Sequence, residues 1–424
     1  MDTQSLLQLC MTADGLVSRR RFLQFSGAGI AAAWWLNAVG LQADDLKKRN
    51  AACILVWLGG GPSQFETWDP KPGKENGGQT KAISTAASGI KIAEYWPKVA
   101  EVMKDCAIIR SLTSKEGNHE RATYQLHTGR APSGALKYPN IGSVVAQELG
   151  AVAAELPNFV SVGETVGPGF LGIQSAPFVV NSPGELPANV AMQVSKDRMA
   201  RRLELLKEQN AELEKVGAGE IAASQQGLYD QAARMVLSPK LKVFDLKTES
   251  DKVRDDYGRN GFGQGLLMAR RLVEAGVPFI EVRKGGWDNH GDLWKAVPRN
   301  AGEVDPALAQ LIRDLKSRGM LDSTLVVCMG EFGRTPKVNN KGGRDHFPKA
   351  FSTLLAGSGI KGGRAIGKTN ENGTEVAERP VSVPDLFQTF CKALKLNPAT
   401  ELITPQGRPV KVVDDGRPVN ELFA

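Results

Sequence analysis

GLLMARRLVEAGVPFIEVRKGGWDNH, Gly265–His290, is the stretch from which the fold can be read. It reads as a helix, then the apolar strand VPFIEV, then a polar loop that opens on two glycines. VDPALAQLIRDLKSRGMLDSTLVVCMGEFGRTP, Val304–Pro336, repeats that order of helix, strand and loop. Upstream, ACILVWLGGG (Ala52–Gly61) reads as a fully buried strand running into a glycine turn, and Glu94–Leu112 as helix then strand. HERATYQLHTGR (His119–Arg130) is helix-like, Ile141–Ala151 a short amphipathic helix and Phe159–Gly163 a strand. Phe351–Gly359 adds another strand, and Val381–Leu396 a late helix with Ser382 at its N-cap and Pro384 early in it. Helices alternating with buried β-branched strands mean an α/β fold with a mostly parallel sheet. Between these units, Gly163–Val190 reads as a long irregular insert, and 195–238 as a helical insert with charged faces.

Ligands of such sheets bind at the carboxyl ends of the strands, so the polar residues that follow the strands should converge there. Ser63, Glu66 and Asp69 follow the first strand, and Asp288, His290 and Asp292 follow VPFIEV. Glu331 and Arg334 follow TLVVCM, and the loop GGRDHFP brings Arg344, Asp345 and His346. The chain has only four histidines, and three of them, His119, His290 and His346, stand beside acids or amides. Charged groups gathered at one sheet edge need mutual compensation or a metal.

The rest of the chain narrows the class. Its 424 residues suit one large domain or two, and 42% hydrophobic residues suffice for a full core. The net charge of +7 is scattered, with few aromatics and no nucleic-acid-binding motif, so no nucleic-acid partner is expected. Ser18-Arg19-Arg20-Arg21-Phe22-Leu23-Gln24 precedes a small-residue apolar run, which looks like a twin-arginine export signal over 1–43. The run Phe25–Leu41 is 17 residues, short of the ~20 that a spanning helix needs. The expectation is therefore passage through the twin-arginine machinery and a periplasmic or secreted chain over 44–424, without a stable membrane span after cleavage. An uncleaved N-terminal anchor is the alternative. Cys53, Cys106, Cys328 and Cys391 form no CxxC, and Cys53 and Cys328 lie in apolar strands where buried free thiols are expected.

Each candidate has an ordinary reading beside the chemical one. His119 is a helix-surface or capping histidine, a metal ligand or acid/base, or a nucleophile. His127, eight residues on and about 80° around the helix, is better read as structural. WDNHGD is a polar turn or a ligand loop, and His290 between two acids favours the ligand loop. Asp345 is a ligand or the partner that orients His346. Arg334 and Arg344 clamp an anionic ester or pair with Glu331 and Asp345. GGGPS lacks the Lys-Ser/Thr of a phosphate loop, and GFGQG follows polar residues instead of a strand, so both are turns.

Ile54–Gly73, Phe262–Gly276, GGWDNHGD, GEFGRTPKVN and GGRDHFP, together with the twin-arginine start, resemble domain-of-unknown-function family 1501 over roughly 53–396. That family is regarded as similar to sulfatases and the alkaline-phosphatase superfamily. The similarity implies a three-layer α/β/α sandwich with one or two divalent metal ions at the strand ends. Laying Thr128-Gly129-Arg130 on the end of the sulfatase motif puts His119 where formylglycine would form, so formylglycine chemistry is not supported. The same similarity makes Asp69 the acid after the first strand, and Asp288, His290 and His346 one site for a zinc, manganese or calcium ion. Asp69 and Glu331 with His119 would form an atypical second site, since Phe332 stands where the superfamily keeps another ligand.

The expectation is an exported metal-dependent hydrolase of phosphate or sulfate esters, acting on a small anionic ester or a sulfated or phosphorylated glycan. Water on the metal or an atypical nucleophile would attack. The alternative is a non-catalytic metal- or glycan-binding protein on a hydrolase scaffold.

Overall fold

Every residue of Ala52–Leu58 is buried, and its side chains divide by parity. Ile54, Val56 and Leu58 enter one hydrophobic core, and Cys53, Leu55 and Trp57 a second. Successive side chains of a strand point to opposite faces, so a strand covered on both sides is apolar throughout. This strand, β1, lies inside the central sheet of a computed structural model that describes residues 51–424, apart from 133, 135, 152–153, 188–189, 191–193 and 216–218. The export signal expected over 1–43 lies outside the described residues.

The other strands of this sheet are β2 (Cys106–Thr113), β3 (Phe159–Val162), β4 (Phe178–Val180), β5 (Phe279–Lys284), β6 (Thr324–Met329), β7 (Phe351–Ala356), β8 (Arg364–Ile366) and β9 (Val381–Ser382). Their order is β8-β2-β7-β6-β1-β5-β3-β4, with β9 also on β2. Every pairing is parallel except those of β7, which is antiparallel to both β2 and β6. The chain reaches β7 from the carboxyl end of β6 without a helix to carry it back, so β7 enters reversed. The stretch expected to be wholly irregular, Gly163–Val190, contributes the three-residue edge strand β4. A strand so short, between proline-rich segments, has little periodicity to reveal it.

Seven helices matter here: α1 (His119–Thr128), α2 (Ile141–Leu149), α3 (Lys196–Lys215), α4 (Gly219–Leu237), α5 (Gly261–Glu274), α6 (Leu293–Ser317) and α7 (Val383–Leu394). Leu266 and Leu267 of α5 and Leu308 and Leu311 of α6 pack into the first core. Leu126 of α1, Val144 and Val145 of α2, and Phe387 and Phe390 of α7 pack into the second. The result is the expected α/β/α sandwich with a mostly parallel sheet. Helices α3 and α4 fall in the stretch read as a helical insert. Ser382 caps α7 in a reciprocal box: its hydroxyl accepts from the Asp385 N–H, and the Asp385 carboxylate accepts from the Ser382 N–H. Cys53, Cys106, Cys328 and Cys391 are buried free thiols. Among the described residues no helix is long and apolar enough to cross a membrane.

Asp305 of α6 ties this layer to the short helix Pro97–Glu101, accepting from the backbone N–H groups of Lys98 at 2.8 Å and Val99 at 2.7 Å. Burial outweighs those donors and lifts its carboxyl from the usual 3.8 to about 6. Folding therefore favours the protonated acid, and the stability it brings is full below about pH 3.8 and lost as pH rises through about 6. In urea denaturation, the wild type should lose stability relative to Asp305→Asn across that window and run parallel to it above. A difference independent of pH would refute the shift.

Candidate metal centre

Strands β1, β5 and β6 run parallel, so the loops that leave their carboxyl ends share one edge. Strand β2 points the same way, being antiparallel to β7 as β6 is, and its exit leads to α1. Four loops thus meet. At their junction Gly60 has φ +114°, and a Cβ there would lie 2.5 Å from the backbone nitrogen of Asp288. Only glycine permits that approach without strain. The Gly60 N–H donates to Glu331 Oε1 at 2.9 Å, joining the β1 and β6 loops.

Three histidines are held in the same manner. His119 Nδ1 is 2.7 Å from Glu331 Oε1, His290 Nδ1 is 2.8 Å from Asp345 Oδ1, and His346 Nδ1 is 2.8 Å from the Gly117 carbonyl. An oxygen acceptor at each Nδ1 puts the proton of a neutral imidazole there and leaves a lone pair on Nε2. Those Nε2 atoms then converge on Asp288 Oδ1, at 3.3 Å for His119, 3.1 Å for His290 and 3.4 Å for His346. The Nε2 atoms of His290 and His346 are 3.0 Å apart. His119 Nε2 is buried without a hydrogen-bond partner. His119, Asp288 and His346 each offer a donor atom within 4.8 Å of the others, a set suited to a divalent cation. The cluster is open on one side, with 47% of the Asp288 side chain and 43% of His290 exposed.

The electrostatics are those of a site short of positive charge. With the imidazoles neutral, the carboxylates of Asp288, Glu331 and Asp345 face one guanidinium, that of Arg334. Burial works against the charged form of Asp288, but the Arg334 guanidinium 2.5 Å away prevails and holds its carboxyl down at about 2. The hydrogen bond to Glu331 raises the pKa of His119, against the effect of burial. Burial lowers that of His346, with the charge of Arg334 adding to it. The His290 hydrogen bond lowers Asp345.

Arg334 itself is 1% exposed and anchors the junction. Its Nε donates to the Gly61 carbonyl at 2.8 Å, Nη1 to the Arg344 carbonyl at 3.0 Å, and Nη2 to the Gly60 carbonyl and Asp288. These bonds occupy the fork, so the anion clamp expected of Arg334 gives way to a positioning role. Arg344 lies outside the cluster. It is fully buried and pairs with Glu66 at 2.9 Å, while donating to the Asn76 carbonyl and stacking on Phe65. Neither arginine takes the partner expected of it, Glu331 or Asp345. Asp69 is not brought in either: it pairs with Lys71 at 3.0 Å and accepts from the Thr369 hydroxyl. The atypical second site expected from Asp69, Glu331 and His119 therefore does not assemble. Asp292 stands at the N-cap of α6 in a left-handed conformation, φ 47°.

His127 is buried, its Nε2 3.1 Å from Glu281 Oε1 and its ring 4.2 Å from that of Trp57, a structural placement. Phe332, fully buried, lies with its ring 4.9 Å from His119 and 4.5 Å from His346. Sequence reasoning had no means of finding the Gly117 carbonyl, because backbone acceptors carry no residue-type signal. Gly60 had a signal in the run of three glycines.

The fold can be set beside solved structures. The chain is 12% identical to the PsFucS1 sulfatase from Pseudoalteromonas sp., over 84% of this chain and 70% of that one, with a TM-score of 0.38. It is 14% identical to the phosphonate monoester hydrolase of Agrobacterium radiobacter, over 88% and 77%, with a TM-score of 0.35. Alkaline phosphatase from the Antarctic bacterium TAB5 is 12% identical, over 82% and 98%, with a TM-score of 0.34. No curated protein sequence matches. Residues 50–423 match one family model throughout, and the chain belongs to that family, described as a protein of unknown function, DUF1501.

Proposed function

We propose that the chain is an exported hydrolase of phosphate or sulfate esters whose histidine cluster holds one divalent cation. The observation that carries this reading is the convergence of three Nε2 lone pairs on an anionic oxygen, with each Nδ1 already bonded to oxygen. Lone pairs facing one another repel unless a proton or a cation lies between them, and one divalent cation would serve all three at once. The donors are chemically suited to zinc or manganese, being imidazole nitrogens and a carboxylate. The excess of carboxylates over guanidinium is what a divalent charge would offset.

Asp288, His119, His290 and His346 would hold the ion. Glu331 and Asp345 keep the protons of His119 and His290 on Nδ1, and the Gly117 carbonyl does so for His346. Arg334 fixes the rotamer of Asp288. A bound ion would polarise the ester oxygen and bring the pKa of a water towards neutrality. Among the described residues no hydroxyl or thiol hydrogen-bonds to these donors, which supports water as the attacking group. The arginine-rich start ahead of the apolar run supports export to the periplasm or beyond. A second reading, a non-catalytic metal- or glycan-binding scaffold, draws on the internal engagement of Arg334 and Arg344.

Elemental analysis of the purified chain should find about one transition-metal ion per molecule, and none in the double variant Asp288→Ala/His346→Ala. The loaded chain should hydrolyse an aryl phosphate, an aryl sulfate or a diester. A folded wild type that takes up no metal when offered it would end the proposal. Full metal with no turnover of any ester would favour the scaffold.

Glu331→Gln should keep the fold and weaken metal affinity by about 10–100-fold, the usual effect of removing a carboxylate behind a ligating histidine. Competition with a chelator measures it, and an unchanged affinity would remove His119 from the ligand set.

A further inference from the structure

We propose that Arg283 receives the tetrahedral oxyanion of the substrate at the mouth of the histidine cluster, an assignment that rests on the ester-hydrolase reading. Arg334 and Arg344 are buried and engaged within the protein, so neither is free for a ligand. Arg283 differs on both counts. It stands near the carboxyl end of β5, five residues before Asp288, and it is exposed. Among the described residues its one side-chain hydrogen bond is a long one, from Nη1 to the Glu164 carbonyl at 3.3 Å. Glu281, two residues earlier and on the same face of the strand, is the nearest acid along β5. It is already engaged by His127 and by the Thr165 hydroxyl, 2.6 Å away, so it does not neutralise the guanidinium.

The position of the guanidinium follows from the glycine turn. A Cβ at Gly59 would lie 3.1 Å from Arg283 Nε and 3.3 Å from Nη2, so the side chain lies along the β1 exit because residue 59 has none. The next residue, Gly60, donates to Glu331 and abuts the backbone of Asp288. One turn therefore touches the guanidinium at Gly59 and shapes the cluster at Gly60. A planar fork with open N–H groups matches two oxygens of a phosphate or sulfate, and charge-assisted hydrogen bonds of this type are the strong ones.

Inorganic phosphate and inorganic sulfate, titrated separately by calorimetry onto the full chain supplied with zinc or manganese, test the assignment. At least one should bind the wild type and bind Arg283→Gln about tenfold or more weakly, with affinity largely returned in Arg283→Lys. Metal content and thermal unfolding should be equal in all three, since the side chain is exposed and outside the ligand set. Which anion binds distinguishes a phosphate ester from a sulfate ester. Equal affinity in wild type and Arg283→Gln, or binding of neither anion by the wild type, overturns the assignment. A chain that holds no metal yet binds the anion through Arg283 would leave this inference standing and remove the hydrolase reading.

Discussion

A single buried guanidinium organises the strand-end edge. Arg334 donates to carbonyls of Gly60 and Gly61 in the β1 exit and of Arg344 in the loop before β7, and it pairs with Asp288 from the β5 exit. Two segments distant in sequence, and the chain ten residues further on, are thereby fixed to the one that carries Arg334. A buried charge is tolerable only when its donors are satisfied, and each partner here would be orphaned without it. The arginine and the loops hold one another in place. Lysine could not substitute, because its ammonium lacks the planar fork that reaches carbonyls on several sides at once.

That constraint explains the aim of the histidines. Each is fixed at both ends: its backbone by a loop or helix start, and its Nδ1 by an oxygen from a different segment. The oxygen for His119 comes from the β6 exit, and that for His346 from the segment before α1. Freedom about χ2 is removed before any ligand arrives, which is how a preorganised set of donors is made. Arg344 acts one step further out. Its pairing with Glu66 ties the loop bearing Asp345 and His346 to the segment after β1. Residues first considered for contact with substrate thus form the frame that positions the donors.

The fold was legible where periodicity is strong. Buried strands such as ACILVWL and TLVVCM, and the helix–strand order around Gly265–His290, fixed the class; the rule of carboxyl ends led to Asp288, Glu331, His290, Asp345 and His346, and the resemblance of HERATYQLHTGR led to His119. Their gathering is visible in the geometry, while their role stays with the proposal. The failures have a common physical origin. Asp69, Arg334 and Arg344 were assigned by residue type and position, yet partner choice between charges is decided by contacts between residues hundreds of positions apart, such as Glu66 with Arg344. Residue type does not say which of several nearby carboxylates a guanidinium will reach. Backbone groups were invisible altogether, and the Gly117 carbonyl and Gly60 N–H complete the site. Strand β4 and the reversal of β7 escaped for the related reason that edge pairing and direction are set by connections.

Phe332 bears on how many cations the proposed site would hold. The residue after Glu331 offers no donor. It is a phenyl ring packed against the rings of His119 and His346. A Cβ at Gly61 would come within 2.5 Å of that ring, so the glycine turn has yielded space to it. An apolar ring in this place removes a donor and also presses two imidazoles into their rotamers. Asp69 is turned towards Lys71 and Thr369 and adds no carboxylate there. A cation held there as proposed would have a packed ring beside it and not a further ligand.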